Sequence, residues 1–243
     1  MTTWKDFTLE AVQTALFTPE VSAFVSARAV AAVLPKYRER YDGAMQALPL
    51  PADVPAEIPR VVLQSSDGSW RLAMGQARID SFWNNRGTTL HHDLAEIVAD
   101  CVAVFELYVR EMGAPVGQVA LLVWRICPVE NPAEAIIHRF CNESSQKEPF
   151  NRSATFEIHN HKVYTPGQGI TYPINSWVRC KSATMAAAVG NRPVILVEQD
   201  LNNLAQNRSP RRISIEEMRS FFETALLEAD AIFRKYFPEQ ETP

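Results

Sequence analysis

Glycine is scarce in this chain, nine residues in 243 against sixteen prolines, so stiff connections are favoured over supple ones. Cysteine is scarcer still. Cys101, Cys127, Cys141 and Cys180 stand apart, with no C-x-x-C pair and no histidine at ligand spacing, which points to reduced, buried thiols rather than a zinc site. No apolar run approaches the roughly 18 residues of a membrane span. The most apolar helical stretch, "VSAFVSARAVAAVL", is short and carries Arg28. The opening "MTTWKDFTLE" lacks both a basic start and a continuous apolar core, so no secretory signal is expected and a cytoplasmic location is. The N-x-S triplets at Asn142, Asn151 and Asn207 then carry no meaning as glycosylation sites.

Charge of one sign is lacking too. With 24 Lys+Arg against 28 Asp+Glu the net charge is −4, which argues against a general affinity for nucleic acid or anionic membranes. Residues 1–116 hold 10 basic and 14 acidic side chains and the remainder 14 of each, so the only local basic feature is the cluster Arg208, Arg211 and Arg212. Signatures of catalysis are missing: there is no G-x-S-x-G elbow and no G-x-x-x-x-G-K-[ST] loop. "TPGQGITY" contains a G-x-G, but no helix follows it, so it reads as a hairpin turn.

What is present is a sequence able to bury a full core, 47% hydrophobic and 21% charged. "LEAVQTALF" reads as a strand or short helix, and a helix is expected from Pro19 to about Leu34, with Pro35 kinking or restarting it. "LPLPADVPAEIP" is a polyproline-like connector over residues 48–59. Three strands follow, "RVVLQS", "SWRLAMG" and "RIDSFWNN", the first two joined by an Asp-Gly hairpin turn. "TTLHHDLAEIVADCVAVFELYVREMG" is a long helix that Thr88 or Thr89 could cap and Gly113 ends. The second half repeats the order. "QVALLVWRICPV" is a strand apolar enough to be buried on both faces, and "NPAEAIIHRF" is a helix capped by Asn131 with Pro132 in its first turn. Three more strands, "ATFEIHNHKVY", "ITYPINSWVRCKSA" and "RPVILVEQDL", lead to a last helix opened by the S-x-x-E box of Ser214 and Glu217.

The expected fold class is therefore α+β: two pseudo-repeated strand–helix–three-strand–helix halves, residues 1–116 and 117–243, intimately packed. They form antiparallel sheet with the long helices on one face. A sheet face left uncovered and carrying Trp83, Trp124 or Trp177 would be a binding surface or subunit interface.

"YRERYDG", "AEIPRVVLQSSDGSWRLAMGQARIDSFWNN", "NPAEAIIHRF" and "RPVILVEQDL" before a helix with "IFRKYF" together give the chain a resemblance. It resembles a sporadically distributed family of uncharacterised bacterial proteins of about this length. The chain departs from that pattern at the end of its last strand, where Glu198, Gln199 and Asp200 stand in place of an acidic pair. The resemblance implies no activity and no catalytic residue; its patchy occurrence would fit genes of mobile or defence loci.

Three site readings remain. Glu157, His159 and His161 alternate along one strand and so share a face. His-x-His can ligate a metal, which would make a metal-dependent enzyme. Such a site wants three or four ligands, and no further histidine is placed to join, so a solvated polar face is the expectation, with no metal and no cofactor. Arg208, Arg211 and Arg212 before a helix start could meet a phosphate or a nucleic-acid backbone, beside a sheet presenting aromatics. The leading expectation is a non-enzymatic binding or assembly protein that recognises a protein partner, with a homodimer through the long helices as a further arrangement.

Overall fold

The computed structural model describes residues 2–18, 24–51, 53–87, 93–167, 170–186, 190–203 and 212–239. Nine strands form a single antiparallel sheet: β1 (Thr8–Phe17), β2 (Met45–Ala47), β3 (Val61–Gln64), β4 (Trp70–Met74), β5 (Arg78–Asn84), β6 (Gln118–Pro128), β7 (Glu157–Tyr164), β8 (Ile174–Ala186) and β9 (Asn191–Asn203). Their order across the sheet is β2-β3-β4-β5-β1-β6-β9-β8-β7. The helices are α1 (Ser26–Tyr37), α2 (Leu94–Met112), α3 (Pro132–Phe140), the five-residue α4 (Glu143–Lys147) and α5 (Ile215–Tyr236).

Alternation along the strands assigns one sheet face to the helices. Val12 and Leu16 of β1, Ile79 and Trp83 of β5, Val119, Leu121 and Val123 of β6 and Leu201 of β9 form a buried cluster with α2 and α5. Phe105 of α2 meets Phe222 of α5 with ring centroids 6.2 Å apart. A second cluster packs Ile136 of α3 and Phe233 of α5 on Cys127, Val178, Cys180, Ile195 and Val197, the same face further along. The four longest helices thus share one side. No helix of the described residues is long and apolar enough to cross a membrane.

Local chemistry explains most element ends. At Asp67-Gly68 the chain turns with Gly68 at φ 73°, and the Asp67 carboxylate accepts from the Ser69 backbone N–H at 2.8 Å. Gly113 ends α2 in the left-handed region. Ser214 Oγ accepts from the Glu217 N–H at 3.1 Å, and the Glu217 carboxylate accepts from the Ser214 N–H at 2.9 Å.

Three expectations are corrected. The first helix begins at Ser26, not Pro19: Val25 is extended at its N-cap, and Phe24 reaches the core from ahead of the helix. Residues 19–23 lie outside the described residues. Nor does the helix restart at Pro35, which sits in the last turn of one helix that runs on to Tyr37. For α2 the cap is Asp93, with Thr88 and Thr89 outside the described residues. Two short elements had no sequence signal. The side chains of β2 are all exposed and show no alternation, and α4 is polar throughout and held by the Asn142 side chain accepting from the Ser145 N–H at 2.9 Å.

Candidate functional site on the helix-free sheet face

Opposite the helices, cross-strand register lines up side chains in rows. One row runs from His161 through Trp177, Asp200 and Leu122 to Gln13, Phe82, Arg71 and Gln64, spanning eight strands. A parallel row holds His159, Arg179, Glu198, Trp124, Ala11 and Asn84. Among the described residues no α-helix of eight or more residues covers these rows. The proline connector borders their far end, where Leu48 and Ile58 stand exposed over a depression of about 560 Å³ with Val62, Arg71 and Arg86.

Two arginines of this face, Arg179 and Arg78, have acidic partners. Arg179 Nη1 donates to Glu198 Oε1, and its guanidinium lies 5.6 Å from the Trp177 ring centre. Arg78 Nε donates to Asp80 Oδ2 at 2.8 Å while its guanidinium stands 4.9 Å from the Phe17 ring. Gln13 Nε2 adds a bond to Asp80 Oδ1 at 2.8 Å, and Arg71 stacks 5.0 Å over Phe82. Between these clusters, on β9, burial pushes the Asp200 carboxyl above the usual range, with the Asn202 amide at 2.9 Å and the guanidinium charges of Arg179 and Arg78 opposing that rise.

The alternating trio of β7 shares this face at the sheet edge. Glu157 and His159 contact each other. His161 stacks flat on Trp177, centroids 4.1 Å apart at 6°, and its Nε2 contacts Asn175 Oδ1. No group of three or more His, Cys, Asp or Glu side chains among the described residues could hold a metal ion. Of the three tryptophans considered for an interface, Trp124 and Trp177 stand on the bare face, partly exposed. Trp83 does not. It is 4% exposed in the core under the helices, because the alternation that turns Phe82 outward turns its neighbour inward.

Arg208 and Arg211 lie outside the described residues. Arg212 is exposed two residues before the Ser214 cap, but the first turn of α5 already carries Glu216 and Glu217, which compete with any outside anion. Arg71, Arg78, Phe82 and Asp80 were not singled out by the sequence; their alternation marks them as co-facial, but only the strand order shows that they share a surface with Trp124 and Trp177.

No family model and no curated protein matches the chain. Among solved structures it is compared with the crystal structure of the di-domain ARO/CYC BexL from the BE-7585A biosynthetic pathway, at 9% identity over 96% of this chain and 100% of that one. The TM-score is 0.19, and a superposition of that quality carries no inference about fold or activity.

Proposed function

We propose that this is a non-enzymatic binding or assembly protein that recognises a protein partner through the helix-free face of its sheet. The observation that supports it is the continuous bare surface itself, where partly exposed Trp124, Trp177 and Phe82 alternate with ion pairs already closed within the face. Aromatic anchors ringed by paired polar groups suit a protein surface. A polyanion would instead call for a run of unpaired basic groups, whereas Arg78 and Arg179 are engaged by carboxylates and Arg71, without a carboxylate, lies stacked on Phe82. As to its architecture, the chain is read as two pseudo-repeated halves, 1–116 and 117–243. The strand order supports this: β1 and β6 pair at the centre, and β5, β4, β3 lead outward on one side as β9, β8, β7 do on the other.

The test is affinity capture from the native host with tagged wild type, with Trp124→Ala/Trp177→Ala, and with Leu227→Ala, an exposed apolar position on α5 as control. Circular dichroism establishes that each variant is folded. The double variant should lose the captured protein, the Leu227 variant should keep it, and capture should change little with salt. Capture indifferent to the double variant would overturn the reading, and nuclease-sensitive capture that falls steeply with salt would replace it with a nucleic-acid-binding one.

A further inference from the structure

Arg125 of β6 points to the helix side, into a mostly apolar layer whose buried polar members include Gln199 and Thr14. It is 7% exposed, lying between the two hydrophobic clusters, and is faced by Phe233 with its guanidinium 4.4 Å from the ring centre. Of its five N–H donors, one has a described acceptor: Nη1 donates to Gln199 Oε1, while Gln199 Nε2 donates to the Ala229 carbonyl at 2.9 Å. Burial pushes the guanidinium pKa down to about 10, with the charge of Asp230 acting against that. An arginine taken out of water without a carboxylate on its fork is costly, and arginines buried in this way are normally paired.

The rest of its fork has no described acceptor, and Arg125 lines a cavity of about 860 Å³ between the N-terminal segment, the first turn of α2 and the last turns of α5. That is the size of a small-molecule site. Phe7, Leu9, Leu94, Leu226 and Phe233 supply apolar walls. The other cations of the lining are engaged: Arg234 Nε holds Asp230 at 2.7 Å and lies 3.9 Å over Trp4, and Lys5 Nζ holds Glu239 at 3.0 Å. Glu228 accepts from the Tyr164 hydroxyl at 2.6 Å. With Asp93, Glu228 and Asp230 around the rim, a doubly charged phosphate would meet repulsion, whereas one carboxylate on one guanidinium fork balances.

From this arrangement we propose that the cavity binds a small carboxylate with an apolar body, its head on the Arg125 guanidinium and its body against Phe7, Leu9 and Phe233. This site lies on the helix side of the sheet, so it stands or falls independently of partner recognition by the bare face.

The test uses the full-length protein with octanoate, 1-octanol and inorganic phosphate as probes, read by tryptophan fluorescence, to which Trp4 in the lining contributes, and by calorimetry. Octanoate should bind at least tenfold more tightly than octanol, and phosphate should not compete. Arg125→Gln should reduce octanoate affinity at least tenfold and leave octanol unchanged, with Arg125→Lys between. Equal binding of acid and alcohol, phosphate binding in preference to octanoate, or no octanoate binding at millimolar concentration would each overturn the proposal. These comparisons are made on the wild type, so they decide the matter even if the glutamine variant does not fold.

Discussion

Asp200 stands on β9, the third strand from the β7 edge, flanked in register by Trp177 and Leu122. Its carboxyl is raised, first by burial, so the folded protein holds that proton more tightly than the unfolded chain, whose aspartates titrate near ~3.9. The sign follows. A raised acid adds stability that is fully present below the unfolded value and lost as pH rises through the folded one, so at neutral pH the ionised group is a burden. Asp200→Asn keeps the shape and a hydrogen-bonding partner for Asn202 while removing that burden. The variant should melt higher than wild type at pH 7, with the gap narrowing as melts are repeated toward pH 4. A variant that melts lower at pH 7 would show that the Asp200 charge is favourably held by Arg179 and Arg78.

At the scale of elements, α5 carries the largest apolar load. Phe221 and Phe222 are fully buried, Phe222 packs on Phe105 of α2, and Phe233 and Phe237 extend the stripe over α3's cluster. Phe222→Ala should cost about 3–5 kcal/mol in denaturant unfolding, since the site lies between two helices that cannot close over the void. A loss under about 1 kcal/mol would remove α5 from the core. This helix was legible in the sequence because capping box and apolar stripe are both local. The alternation of Glu157, His159 and His161 was legible for the same reason. Their company was not, because Trp177 and Arg179 reach that face by strand register, and Phe82 and Arg71 by a strand order set over a hundred residues away. Trp83 was misjudged against a signal that was present, as its two-residue spacing from Ser81 and Ile79 already put it on their side. Arg125 was hidden by its setting, one charge inside "VALLVWRICPV", where a run read as buried on both faces gave no reason to ask which way it pointed.

For the whole molecule, the asymmetry of the sheet dominates. Helices, both apolar clusters and the Arg125 cavity lie on one side, and the paired charges and exposed aromatics lie on the other. The two proposed kinds of recognition would therefore be altered by separate substitutions without sharing a residue. Both depend on β1, which is held on one side by β5 and on the other by β6.

That central strand has a kinetic consequence. Phe17 meets Arg78 on one edge and Gln118 on the other, so both of its pairings join segments far apart in the chain, the kind of high contact order that slows folding. A fragment ending at residue 116 would hold β1 with a ten-residue edge unsatisfied and should self-associate, seen as heavy species in sedimentation; a folded monomeric fragment would contradict this. During synthesis the same edge waits while about 100 further residues emerge, roughly 5–20 s at elongation rates of about 5–20 residues per second. Through that interval the nascent chain carries its most adhesive strand half-open, which makes β1 the segment whose shielding by a chaperone would matter most to yield.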